Sequence, residues 1–109
     1  MQNYVIIIGK LTKNPEVTTE EGKGIIIELA IPRSFKNKDG EYETDYVSCI
    51  LMGAVAKSTA EYCHKGDIIG VKGRISTELI AENGQSKRVM NIVAERVTFL
   101  SSKKQNDNN

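Results

Sequence analysis

Apolar and polar residues alternate over most of the chain. The alternating stretches are rich in β-branched residues and separated by glycine-bearing turns, as in short antiparallel strands. The first stretch, Tyr4 to Thr12, is apolar at both parities, with Val5, Ile7 and Leu11 on one side and Ile6 and Ile8 on the other. Such a strand is covered on both faces, and a second subunit is one way to cover the outer one. The second stretch, Gly24 to Phe35, follows the turn signal Glu20-Glu21-Gly22-Lys23-Gly24 and sends Ile25, Ile27, Leu29 and Ile31 to one face. Pro32 near its end predicts an edge or a bulge. Asn37-Lys38-Asp39-Gly40 predicts a hairpin turn, since aspartate and glycine tolerate the left-handed backbone of tight reversals. In the third strand, Thr44 to Met52, Val47, Cys49 and Leu51 are core-directed, and Tyr46, Ser48, Ile50 and Met52 point outward.

Ala54 to His64 carries the only helical period, with Val55, Thr59 and Tyr62 on one face, His64 in the last turn and Gly66 placed to end it. A fourth strand, Asp67 to Leu79, turns Ile69, Val71, Ile75 and Leu79 one way and Ile68, Lys72, Arg74 and Ile80 the other. Asn83-Gly84 predicts a hairpin into the last strand, Lys87 to Leu100, whose mixed parity predicts a bulge. Residues 101–109 hold nothing to bury and read as a disordered tail after a domain spanning 1–100. The fold class is therefore mainly β. Five strands with one helix between the third and fourth match an OB-fold, a five-stranded Greek-key barrel that binds oligonucleotides or sugars.

With 109 residues, 39% hydrophobic and 27% charged, the chain has the size and make-up of one folded domain. Its apolar runs fall far short of the roughly 20 residues of a membrane-spanning helix, and Met1-Gln2-Asn3-Tyr4 opens no signal peptide, so a cytoplasmic location is expected. The formal charge is +1, with Lys103 and Lys104 against Asp107 supplying the excess, so the body is neutral. A balanced chain lacks the broad basic field of a tight duplex binder, although a segregated patch stays open to it.

Catalytic chemistry finds little support. His64 is the sole histidine and sits where a cation complements a helix C-terminus, and the acidic residues at Glu20-Glu21 and from Asp39 to Asp45 occupy turns and a strand entry. Cys49 and Cys63 lack zinc-site spacing and read as buried, reduced thiols. Gly66, Gly70 and Gly73 fall within a strand, where they suit close packing rather than a phosphate loop. No enzyme, metal or cofactor is expected. The suggestive pattern is flat or soft apolar groups beside basic ones on outward faces. Phe35 lies with Lys36 and Lys38, Tyr46 and Met52 share the outer parity of strand three, and Lys72 and Arg74 share that of strand four; Lys87 and Arg88 rise from the last hairpin. Stacking plus phosphate contact holds a single strand, whereas duplex bases are already stacked on each other.

Several blocks resemble bacterial single-stranded DNA-binding proteins. Ile8-Gly9-Lys10-Leu11-Thr12-Lys13-Asn14-Pro15-Glu16 is similar to the turn that follows that family's first strand. Ile31-Pro32-Arg33-Ser34-Phe35 resembles its "AVNRSF" element and Thr44-Asp45-Tyr46-Val47-Ser48-Cys49 its "ADYVNC" element. Glu61-Tyr62-Cys63-His64-Lys65-Gly66 and Val71-Lys72-Gly73-Arg74-Ile75 match two further blocks in order. The resemblance covers about residues 1 to 100. It implies an OB-fold homotetramer that wraps single-stranded DNA without marked sequence preference and protects it in replication, recombination and repair, with no enzymatic activity. Phe35 and Tyr46 fall where that family stacks bases, and Lys10, Arg33, Lys72 and Arg74 fall at or beside its backbone-contacting positions.

The departures touch the binding face. Met52 and Ile80 stand where the family carries aromatic residues, and the chain has no tryptophan. The segment Gln105-Asn106-Asp107-Asn108-Asn109 lacks the acidic, phenylalanine-ended tip with which longer members recruit replication and repair enzymes. Two other readings stay open: an adaptor resembling primosomal replication proteins that works through protein partners, and an OB-type RNA or sugar binder.

Overall fold

The computed structural model describes residues 1–16 and 24–102. The turn expected at Glu20 to Lys23 and the tail from Lys103 onward lie outside them. Among the described residues the elements are β1 (Val5–Leu11), β2 (Ile25–Lys36), β3 (Tyr42–Leu51), α1 (Gly53–Tyr62), β4 (Ile68–Glu82) and β5 (Gln85–Ser101). The strands close into a barrel in the order β1-β2-β3-β5-β4, with β4 returning to β1. Every pairing is antiparallel except β3 with β5, which meet in parallel at Cys49↔Ile92 and Ile50↔Val93.

The inward parity follows the sequence within the barrel, whereas Ile75 and Leu79, expected on the same face of β4 as Ile69 and Val71, are exposed. Leu11, Ile27, Leu29, Cys49, Leu51, Ile69 and Val71 are completely buried, while Ile31, at the rim, is half-buried and packs against that core. Bulges shape the closure. The β2–β3 register shifts between Pro32 and Lys36. On β5, Glu95 and Leu100 are the extra residues between consecutive pairs with β4. At the first of these, a Cβ on Gly73 would stand 2.2 Å from the Val93 carbonyl oxygen, so only glycine admits the approach of the two backbones.

Two expectations for the helix are corrected. Ala56, Thr59 and Cys63 are buried and Val55 and Ala60 partly so, which keeps the expected Val55 and Thr59 inward but leaves Tyr62 exposed. The helix also ends before His64: the Cys63 N–H donates to the Thr59 carbonyl at 2.9 Å, and Cys63 itself is extended. His64 instead opens a turn, its N–H donating to the buried Asp67 carboxylate at 2.8 Å. That turn is tied to β1, because the Gly66 N–H donates to the Leu11 carbonyl and the Leu11 N–H to the Asp67 carbonyl, both at 2.9 Å.

The hairpins extend beyond the expected strand ends. β4 and β5 pair as far as Glu82↔Gln85 around a two-residue turn, with Asn83 at φ 52° and Gly84 at φ 76°, the left-handed pair of a type I′ reversal. Ser101, expected in the tail, completes β5. At the β2–β3 turn the Asn37 side-chain oxygen accepts the N–H groups of Asp39 and Glu41 at 2.9 and 3.0 Å. No helix among the described residues is long and apolar enough to cross a membrane.

Candidate nucleic-acid interface

The outward parity of β2 and β3 forms a ladder: Ile26↔Ile50, Glu28↔Ser48, Ala30↔Tyr46 and Pro32↔Thr44. Tyr46 is 64% exposed, a large fraction for a ring on a paired strand. On the other side of Ala30 stands Lys10 of β1, and beyond it Ile68 of β4, so one outer row crosses four strands as Ile68, Lys10, Ala30, Tyr46. Ile8, Lys10, Ala30, Pro32, Tyr46 and Ile68 line a groove of about 480 Å³. Lys10 and Ala30 also line a second groove, with Thr12 and Lys65 on its far side. Lys65 was not singled out by the sequence; its place follows from a tertiary contact, the Asn14 side-chain oxygen accepting the Lys65 N–H at 2.6 Å.

The remaining sequence candidates fall into three groups. Met52 follows the last residue of β3 and Phe35 sits in the bulged end of β2, both exposed. Lys36 pairs with Tyr42, its ammonium 5.8 Å from the ring centroid. Ile80 and Lys87 are direct cross-strand partners on the β4–β5 ribbon. Lys72 and Arg74 lie farther round the barrel. Lys72 is flanked by Ile6 and Arg96 and lies 5.0 Å from the Tyr4 ring centroid. Its neighbour Ile6 is two outward positions from Lys10, about 14 Å along β1. Arg74 stands 3.8 Å from the Glu95 carboxylate, which the β5 bulge presents.

Arg33 behaves differently from the expectation of a cation facing a phosphate. Its Nη2 donates to Asp45 at 2.9 Å and its Nε to the same carboxylate at 3.2 Å, while Nη1 donates to Glu43 at 3.0 Å. The Asn37 amide donates to the other Glu43 oxygen at 3.0 Å, which joins the cluster to the turn. Asp45 and Glu43 alternate with Tyr46 and Thr44 along β3, so the cluster belongs to the opposite parity from the Tyr46 ring. The hydrogen bond from Arg33 holds the Asp45 carboxyl below its ordinary range, and the hydrogen bond and charge of Asp45 raise Arg33 in turn. Because Asp45 is depressed in the folded state, the contribution of the pair is complete above the unfolded carboxylate range and fades as the pH falls through the lowered folded value. An NMR titration of the Asp45 carboxyl carbon is expected to give a midpoint below that of an unstructured peptide of the same sequence. Arg33→Ala should return it to the peptide value.

Elsewhere the chemistry is quiet. Cys49 and Cys63 are free and buried, and burial pushes the Cys49 thiol up to about 11 and raises Cys63 as well, with Asp67 adding to the latter. Thiols so shifted are poor nucleophiles at neutral pH. Among the described residues no cluster of histidine, cysteine or carboxylate side chains is arranged to hold a metal ion.

A closed barrel with a parallel β3–β5 seam, a helix between β3 and β4 and an outer row joining a lysine to an exposed ring defines an OB-fold domain with the face of an oligonucleotide binder. The chain belongs to the single-strand binding protein family, whose model matches residues 2–100. It is 42% identical over 106 residues to single-stranded DNA-binding protein B of Bacillus subtilis, a match that covers 94% of either chain. It is also 42% identical to single-stranded DNA-binding protein 3 of Clostridium acetobutylicum, over 97% of this chain and 76% of that one. A Plasmodium falciparum SSB solved in complex with ssDNA shares the fold, with a TM-score of 0.75 and 20% identity over 93% of this chain and 96% of that one. A deletion mutant of the single-stranded DNA binding protein from Thermus aquaticus superposes with a TM-score of 0.73 at 26% identity, over 94% of this chain and 52% of that one.

Proposed function

We propose that this protein binds single-stranded DNA without marked sequence preference and protects it during replication, recombination or repair, as a binding protein and not an enzyme. The observation that carries the reading is the outer row in which Lys10 and Tyr46 share one groove: a cation for the phosphate and an exposed ring for the base. Phe35, Met52 and Ile80 supply further faces for bases, Met52 and Ile80 as aliphatic substitutes for rings. Lys36 and Lys87, with Lys72 and Arg74 farther round the barrel, are the further cations offered to the phosphates of a strand leaving that groove. Arg33 enters as the strut that holds the β2–β3 hairpin. Family membership and relatives named for single-stranded DNA support this reading over a protein adaptor or a sugar binder.

The same reading makes the protein a homo-oligomer, with a tetramer preferred, in the cytoplasm. Its support is the outer face of β1, where Ile6 is 65% and Ile8 56% exposed in the single chain. Apolar side chains clustered in this way mark a surface that a partner covers.

Anisotropy of labelled oligothymidine, titrated with protein at several salt concentrations beside a matching duplex, tests the function. Single-strand binding that weakens steeply with salt, against weak duplex binding, is the expected result. Absence of single-strand binding at low salt would send the search to protein partners.

A further inference from the structure

The outer face of β2 and β3 carries an apolar rung between two residues of the proposed stacking set. Ile26 is 63% exposed and lies directly opposite Ile50. Along β3, Met52 is one outward position beyond Ile50 and Tyr46 two outward positions before it. Outward positions repeat about every 7 Å, so Met52 and Tyr46 stand about 20 Å apart with the isoleucine rung between them, nearer Met52. A strand whose bases rest on both must cross that rung.

The one acidic side chain among these ladder positions is drawn aside. Glu28, between the isoleucine rung and Tyr46, accepts a hydrogen bond from the Thr12 hydroxyl at 3.0 Å, which turns its carboxylate toward β1. The face is thus continuous in chemistry from Met52 through Ile26 and Ile50, with its nearest carboxylate tethered at the β1 side. Exposed isoleucine on a paired strand has no role in the barrel core, which Ile25 and Ile27 fill from the other parity.

We propose that Ile26, with Ile50 beside it, is an aliphatic subsite for an unstacked base of single-stranded DNA, placed between the bases held at Met52 and Tyr46. The inference rests on the single-strand binding reading above and adds a residue to it.

The absence of tryptophan provides the test, because Ile26→Trp installs the sole indole of the protein. Unlabelled oligothymidine is expected to quench that indole with the stoichiometry seen by anisotropy, and to bind about 5- to 10-fold more tightly than to the parent, since a ring stacks on a base better than a branched chain does. An indole on the exposed helix position, Tyr62→Trp, should stay unquenched. Binding by anisotropy without quenching at position 26 would overturn the subsite and leave the single-strand reading intact. Absence of binding by either signal to the parent and the variant would overturn both. An indole shift that depends on protein concentration, with no further change on adding DNA, would give the rung to a second copy of the chain and overturn the subsite as well. Ile26→Asp supplies an independent check: about tenfold weaker binding with an unchanged circular dichroism spectrum is expected, and unchanged affinity would remove Ile26 from the site.

Discussion

Tyr46→Ala is expected to weaken binding to single-stranded DNA by about 5- to 150-fold, the range that corresponds to a stacking contribution of about 1–3 kcal/mol per base. The loss should fall on affinity and not on the fold. The ring is 64% exposed and stands on the outer parity of β3, whereas the core is built from Cys49 and Leu51 on the inner parity. Tyr46→Phe should retain most of the affinity, because a base face needs the ring and not the hydroxyl. The salt dependence should be nearly the same in both variants, since no cation is removed. Anisotropy titrations with oligothymidine, paired with thermal unfolding followed by circular dichroism, separate these effects. Equal affinity of Tyr46→Ala and the parent would move the bases off this groove. Tyr46 is expected to dominate over Met52 and Ile80, because a thioether or a branched chain offers a base face less complementary surface than a ring.

Much of this arrangement was legible in the sequence, and the exceptions have physical causes. Strand alternation sorted Val47, Cys49 and Leu51 from Tyr46 and Ser48 because one face of β3 meets the core and the other meets solvent. The β4–β5 ribbon runs past the barrel, where neither face is buried, so its pattern loses contrast and its ends were placed too short. The helical period favours Tyr62, a large residue that suits a core, but the chain seats Cys63 inward and leaves the ring outside. The alternation of Ile25, Ile27 and Leu29 already sends Ile26 outward, but its partner Ile50 is visible only once the β2–β3 register is known. The setting of Arg33 is not legible in the sequence for another reason. Its two carboxylate partners lie 10 and 12 positions away in the chain, and only the paired hairpin brings them onto the guanidinium. The expectation of a phosphate contact rested on the resemblance, which carries residue type but not the local competition for its donors.

Ile6→Asp is expected to produce the largest change of all in binding to long strands, although Ile6 need not touch DNA. On the oligomer reading, the light-scattering mass of the parent should be a multiple of the 12.1 kDa chain mass, and the variant should fall to a single chain. The outer face of β1 would then have to bury a carboxylate against a partner copy, a cost that outweighs what a surface pair with the neighbouring Lys72 could return. Ile6 is preferred to Ile8 for this purpose because Ile8 also lines the Tyr46 groove. Linked sites raise affinity by about 10²- to 10⁴-fold without a new contact, provided the ligand spans them. A strand long enough to cross several protomers should therefore lose affinity by something in that range, while a short strand that occupies one protomer should bind the variant nearly as well as the parent. The length dependence is what separates lost avidity from a damaged groove. Equal losses on short and long strands would place Ile6 in the binding face, and a single-chain mass for the parent would remove the oligomer and leave one groove to account for all of the affinity.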